Sequence, residues 1–77
     1  MATILRPQRQ PRVVKVVCDP DIMGGSPCVG GTRILAETIL LYIRDGASVE
    51  EIVGDYPSLP FGGVDAVRLW ATREGKL

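Results

Sequence analysis

Apolar residues recur at helical spacing in the second half of the chain, and they predict three helices. The first runs from Leu35 to Asp45, where apolar positions repeat every three or four residues. The second begins after Ser48, which has capping-box spacing to Glu51, and ends before Pro57. The third runs from about Val64 to Glu74. The apolar faces of these helices consist of Ala36, Ile39, Leu40, Ile43 and Ala47, then Val49, Ile52, Val53 and Tyr56, then Val64, Val67 and Ala71, with Leu69 or Trp70 at the edge.

The first half of the chain predicts extended structure and turns. The β-branched run Val13 to Cys18 predicts a short strand. The next segment, Asp19 to Ile34, holds four glycines and two prolines and therefore predicts a hairpin, with Ser26–Val29 beside Thr32–Ile34 as two short strands. The fold class predicted is mainly α: a short N-terminal β-strand and hairpin, followed by a three-helix, helix-turn-helix-like (homeodomain-like) core.

A phosphate-binding loop is the first chemical hypothesis for the glycine-rich segment. Residues Gly25 to Thr32 spell GSPCVGGT, which is close to the pattern G-x-x-x-x-G-K-[ST]. However, Gly31 stands where the lysine should be, and Pro27 removes one backbone amide donor. We therefore interpret the segment as a glycine-rich hairpin.

The same segment carries a resemblance to a known family. The sequence DPDIMGGSPCVGGTRI, with its GG-x-P and GTRI motifs, is followed by an apolar helix and by a G-x-S-x-x-x-I-x-x-x-YP-x-L segment. From about Val13 to Ala71 the chain resembles the small bacterial family known as domain of unknown function number four hundred and thirty-three. The resemblance implies a VapB-type antitoxin paired with a PIN-like ribonuclease, and the same three-helix fold.

The chain departs from that family at the start of the last helix. The family usually has a capping threonine and acidic residues where this chain has Pro60, Phe61, Gly62 and Gly63, and a leucine where this chain has Arg68. A DNA-reading helix contacts base edges with side chains near its amino end. Glycines have no side chain to make such contacts, and Asp65 would repel the DNA phosphates.

Size and charge predict one small domain with a basic arm. The chain has 77 residues, net charge zero and 45% apolar residues, which suggests that some apolar surface is left for a partner. We divide it into a basic flexible arm, residues 1–12, and a single antitoxin-like domain, residues 13–77. The first seventeen residues carry four basic groups and no acid, whereas residues 18–77 carry five basic and nine acidic groups. This distribution suits an arm that reaches toward phosphate or toward an acidic site.

The composition also argues against several classes of site. Cys18 and Cys28, without any histidine, cannot complete a zinc site, and we expect two buried thiols, no metal and no cofactor. We expect a cytoplasmic protein, because no apolar run is long enough to span a membrane and the amino terminus lacks the apolar core of a signal peptide. We do not expect an enzyme, because the chain lacks histidine and paired carboxylates outside helix surfaces.

The function predicted is that of a type II antitoxin, which neutralises a PIN-like ribonuclease and represses its own operon as the complex. That identity rests on the resemblance; the residues alone indicate an oligomerising interaction module. The alternative is a stand-alone helix-turn-helix DNA-binding transcriptional regulator, although the helical body is acidic rather than basic.

Candidate site residues follow from charge and from surplus apolar surface. The arm residues for contact with the nuclease or with nucleic acid are Arg6, Arg9, Arg12 and Lys15. Arg33 is either a contact residue or a local ion-pair partner of Asp19 or Asp21, the second being the commoner use. DNA phosphate contacts are predicted at Arg68, Arg73 and Lys76. An interface for a homodimer or higher oligomer is predicted at Val14, Val16, Leu35, Leu41 and Tyr42, because the first helix is apolar over most of its circumference.

Overall fold

The computed structural model describes residues 14–77. In chain order the elements are β1 (Val16–Val17), a short 3-10 helix (Met23–Gly25), β2 (Cys28–Val29), α1 (Ala36–Arg44), α2 (Val49–Asp55) and α3 (Gly63–Arg73). The predicted fold class is confirmed: the chain is mainly helical, and a short antiparallel strand pair precedes three helices. No helix of the described part is both long enough and apolar enough to cross a membrane.

The strand pairing differs from the predicted hairpin. β2 pairs with β1, with Val16 opposite Val29 and Val17 opposite Cys28. The segment Thr32–Ile34, predicted as the partner strand of β2, is a turn. The Val29 amide donates a hydrogen bond to the Ile34 carbonyl, the Thr32 amide donates to the Val29 carbonyl, and an isolated bridge joins Cys28 to Leu35. The physical reason is the Thr32 hydroxyl, which donates to the Val29 carbonyl (2.7 Å) and accepts from the Ile34 amide (3.0 Å), closing the turn locally.

Close backbone approach explains one glycine of this turn. The Gly30 amide donates to the Lys15 carbonyl at 2.7 Å. A Cβ at Gly30 would lie 2.9 Å from that same oxygen, which is closer than real contacts allow. The Gly30-Gly31-Thr32 sequence therefore has a structural role, because it lets the residue before β1 approach the end of β2. The Thr32 hydroxyl already makes hydrogen bonds to backbone groups.

Local signals placed the helices within a residue or two of their observed bounds. Ser48 and Glu51 form the predicted capping box, each side chain bonding the other residue's backbone amide. Gly46 has a φ of 79°, as expected of a left-handed residue after a helix. α3 starts after Gly62, also left-handed, and no side chain caps it.

The core lies where α1 and α3 pack against β2 and α2. Its fully buried side chains are Ile39, Leu40, Ile52, Val29, Val67 and Cys28. Half-buried Val14 and Val16 pack against this cluster from β1 and its approach. Cys28 is a buried free thiol as predicted, whereas Cys18 is exposed, because it follows the end of a two-residue edge strand and leaves the core there.

Candidate partner-binding surfaces

The first candidate surface is a groove between β1 and α3, which we call the β1–α3 groove. It has a volume of about 400 Å³. Leu69 on its wall is 53% exposed although it belongs to a core-packing helix. The residues that line it are Val14, Lys15, Val16, Ala66, Leu69, Trp70, Arg73 and Glu74.

This groove brings together residues that were predicted for different purposes. Lys15 was assigned to the arm and Arg73 to phosphate contact, yet both line the same groove. Val14 and Val16, predicted for a dimer interface, lie beside them and also pack against the core of their own chain. The arginines predicted in the arm, Arg6, Arg9 and Arg12, lie outside the described residues. The groove therefore combines apolar surface with two cations and one carboxylate, Glu74, next to the point where the described chain begins.

Lys76 has a different environment from the one predicted for a phosphate contact. Its Nζ lies 2.6 Å from the Glu37 carboxylate and 5.2 Å from the centre of the Trp70 ring. Its backbone carbonyl accepts a bond from the Arg44 guanidinium at 2.6 Å. Lys76 thus fastens the C-terminal end of the chain to α1 and α3, and a phosphate would have to compete with Glu37 for its ammonium group.

The remaining predicted cations are exposed. Arg33 makes no salt bridge within residues 14–77, so the local pairing predicted with Asp19 or Asp21 is wrong. The Asp19 carboxylate instead accepts a hydrogen bond from the Asp21 backbone amide at 2.9 Å, which closes the turn at Asp19–Asp21. Arg68 is exposed on α3. Both arginines are open to solvent in the described part of the chain.

The three α1 residues predicted for oligomerisation do not share one environment. Leu41 is 60% exposed, whereas Leu35 is half-buried at the N-cap of α1. The half-buried Tyr42 is engaged within its own chain, since its hydroxyl donates to the Asp55 carboxylate at 2.7 Å and its ring meets Tyr56 edge-on, 5.8 Å between centres. Of the three, Leu41 offers the most free apolar surface.

The hydrogen bond to Asp55 also makes the Tyr42 hydroxyl less acidic. The hydrogen bond to the carboxylate, together with desolvation and the negative charge of Asp55, raises the pKa of Tyr42 from 10.0 to about 12. This bond joins α1 to the end of α2. Tyr42 is therefore best explained as a structural residue.

The second candidate surface, which sequence reasoning missed, is a groove between α2 and α3. We call it the α2–α3 groove, and its volume is about 310 Å³. Phe61 is fully exposed on it (101%), and Val49 and Val53, from the apolar face of α2, are 51% and 41% exposed. The lining residues are Val49, Val53, Leu59, Pro60, Phe61, Gly62, Gly63, Val64 and Asp65. The signal available was the aromatic residue in the Pro60–Gly63 loop, interpreted only as a weak helix start.

Comparison with known proteins places the chain in a family. Residues 16–71 match the model of a family described as "Protein of unknown function (DUF433)". The chain belongs to the DUF433 family. The DUF433 match includes β1 and the whole α2–α3 groove, whereas Lys15, Arg73 and Lys76 lie outside it. The apolar groove is thus part of the family's matched region, and the flanking cations are not.

One relative shares a stretch of this DUF433 chain. It is the uncharacterized protein y4eO of Sinorhizobium fredii (strain NBRC 101917 / NGR234), which is 41% identical over 44 residues. The alignment covers 57% of this chain and 20% of that protein, so the chain spans only a fraction of its relative's length. No solved structure matches the chain. Within the described residues, no group of three or more histidine, cysteine or acidic side chains could hold a metal ion.

Proposed function

We propose that this protein is a type II antitoxin of the VapB type, which binds and neutralises a PIN-like ribonuclease and represses its own operon as the complex. Membership of the DUF433 family and the motifs that resemble such antitoxins support the proposal. The relevant part of the molecule is its surface rather than an internal cavity, because both candidate sites are open grooves with exposed apolar walls.

The observation that carries this proposal is the amount of exposed apolar side chain on so small a body. Monomeric proteins rarely expose contiguous apolar patches larger than about a few hundred Å², and such patches are typical of surfaces that bind another protein. Of the exposed large apolar side chains of the described residues, Val49, Val53 and Phe61 line the α2–α3 groove. Leu69 lines the β1–α3 groove and Leu41 lies on α1, whereas Val17, Met23 and Leu77 lie elsewhere on the surface.

Charge indicates how the β1–α3 groove would engage the nuclease. The resemblance implies a partner whose metal ions are held by clustered carboxylates. A guanidinium pairs with carboxylates bidentately, so Arg73 in the groove and Arg6, Arg9 or Arg12 in the adjoining arm are suitable inhibitory groups. Leu69 and Trp70 supply the apolar contact beside them. In this proposal the β1–α3 groove binds the nuclease beside its active site, and one arginine of the arm enters that active site.

Co-expression with the product of the adjacent gene tests the proposal. That product should arrest growth alone, and this protein should restore growth and co-purify with it. The double variant Lys15→Glu with Arg73→Glu should lose neutralisation, because it reverses both positive charges of the groove and leaves it wholly acidic together with Glu74. Arg68→Glu is the matched control, since Arg68 is also an exposed cation, is not among the groove residues and is predicted to contact DNA rather than the nuclease. A harmless neighbour and no co-purifying nuclease would overturn the proposal.

DNA binding by the free protein separates the antitoxin from the stand-alone regulator. The amino end of α3 presents Gly62, Gly63 and Asp65, which offer no base contacts, so we expect only weak, salt-sensitive binding to the promoter. Gel shifts measure it. Nanomolar, sequence-specific binding by the free protein at physiological salt would favour the regulator.

Self-association is part of the same proposal. We expect a homodimer that uses Val14 and Val16 at the open edge of β1, with Leu41 adding apolar surface from α1. Light scattering at micromolar concentration should give twice the 8.3 kDa mass of the chain. A clean monomer would overturn this part of the proposal.

A further inference from the structure

The α2–α3 groove has the chemistry of a peptide-binding site. Phe61 presents its whole side chain to solvent beside the half-exposed Val49 and Val53. Below them, Leu59 and Val64 are buried and form the floor of the groove. An exposed aromatic side chain beside a preformed apolar groove matches the anchor-and-pocket arrangement of protein recognition sites.

Charge decides what kind of segment fits this groove. Asp65 lines it, and Glu50 lies on α2 between Val49 and Val53, whereas no lysine or arginine is among the lining residues of the described chain. A second copy that docked here symmetrically, groove to groove, would bring Asp65 towards its own equivalent, which like charges oppose. The groove therefore favours an occupant that is apolar and positively charged.

The chain itself supplies such an occupant at the right place. Residues 1–13, MATILRPQRQPRV, contain three arginines, no acidic residue and the apolar pair Ile4–Leu5. The described part begins at Val14, whose Cγ2 lies 3.9 Å from where a Cβ on Gly62 would be, at the groove. The nine residue-to-residue steps from Leu5 to Val14 span about 28 Å even at the roughly 3.1 Å rise of a polyproline helix. The segment thus starts beside the groove and is long enough to return to it.

We propose that residues 4–12 bind the α2–α3 groove of their own chain in the free protein. Ile4 and Leu5 pack on Phe61 and Val53, and the arginines of the segment pair with Asp65 and Glu50. This interaction goes beyond nuclease binding and does not depend on it. It holds the arm arginines on the acidic body, so that any acidic partner of the arm competes with the groove for them.

Paramagnetic relaxation measured by NMR on the full-length chain tests this proposal. The variant Cys18→Ser with Thr3→Cys carries a spin label only at residue 3, because Cys18 is the exposed native thiol and Cys28 is buried. The backbone amides of Val53, Phe61 and Asp65 should lose most of their intensity when the label is paramagnetic. The effect should weaken at high salt, which screens the arginine–carboxylate pairs.

Two further variants and one mixing experiment make the result decisive. Phe61→Ser, a fully exposed position, should abolish the broadening without unfolding the protein, and Leu41→Ser is the matched control that should leave it intact. When spin-labelled protein without ¹⁵N is mixed with ¹⁵N protein that carries no spin label, the amides of Val53, Phe61 and Asp65 should keep their intensity, even if amides at the dimer edge of β1 do not. Broadening of these three amides in that mixture would show docking on a second copy, and no broadening of them in the singly labelled chain would show that the groove is empty. Either result overturns the proposal.

Discussion

Replacing Lys76 with glutamine tests whether the end of the chain is fastened to the helices. In the structure the Lys76 ammonium lies 2.6 Å from Glu37 of α1 and 5.2 Å from the Trp70 ring of α3. Lys76→Gln removes the charge that both contacts need. The Arg44 bond to the Lys76 backbone carbonyl does not involve the changed side chain.

The two contacts together set the expected loss of stability. The ion pair is largely exposed, with side chains 38% and 52% accessible, and such pairs contribute about 0.2–1 kcal/mol. A cation over an aromatic ring at an exposed site contributes about 0.5–1 kcal/mol. We therefore expect the free energy of unfolding to fall by about 1 kcal/mol, or roughly 4–8 °C in melting temperature for a domain of this size.

Urea unfolding followed by far-UV circular dichroism measures this change. Fluorescence is a poorer probe here, because Trp70 belongs to the contact. A cycle of Lys76→Gln, Glu37→Gln and the double variant isolates the pair, with a coupling of about 0.5 kcal/mol expected that decreases with salt. Arg68→Gln is the matched control, since Arg68 makes no salt bridge in the described chain. If Lys76→Gln lowers the free energy of unfolding no more than this control does, the Lys76 contacts with Glu37 and Trp70 do not contribute to stability.

Three further changes test other contacts. The pKa of Tyr42 in the folded protein (about 12) exceeds its ordinary value of 10.0, so the contribution of the Tyr42–Asp55 hydrogen bond to stability is complete below pH 10 and is lost as the pH rises to 12. Ultraviolet titration in a Tyr56→Phe background should show that Asp55→Asn lowers the pKa of Tyr42. An unchanged pKa would contradict the assigned cause. Ser48→Ala removes the capping box and should lower the unfolding free energy by about 1 kcal/mol, measured with urea, with Ser58→Ala as control. Gly30→Ala places a Cβ 2.9 Å from the Lys15 carbonyl oxygen and should cost about 1–3 kcal/mol, whereas Gly54→Ala meets open space and should not destabilise the protein.

The sequence alone determined the helices, because their signals lie within a few residues of each other. The spacing of Ser48 and Glu51 fixed the start of α2, and Gly46 fixed the end of the turn before it. The periodicity of Ile39 and Leu40 identified the buried face of α1. The family could be recognised for the same reason, since its motifs are short and contiguous.

Tertiary structure decided which strand pairs with β2. From the sequence, the closest partner of Cys28–Val29 was the segment just after the glycine turn. The Thr32 hydroxyl instead satisfies the backbone of that turn, and the free side of β2 is taken by β1 from earlier in the chain. Short runs of β-branched residues specify extended backbone but not a partner, because pairing depends on packing across the sheet.

Tertiary structure also decided the environment of individual surface residues. Lys76 was expected to contact phosphate, but it pairs with Glu37, which is 39 positions away in sequence. Phe61 was interpreted as part of a loop, yet it forms the wall of a groove that exists only once α2 and α3 are packed together. Charge and hydrophobicity are properties of a residue and can be read from the sequence. Whether that charge is paired, or that apolar side chain is exposed, depends on neighbours that only folding brings within contact distance.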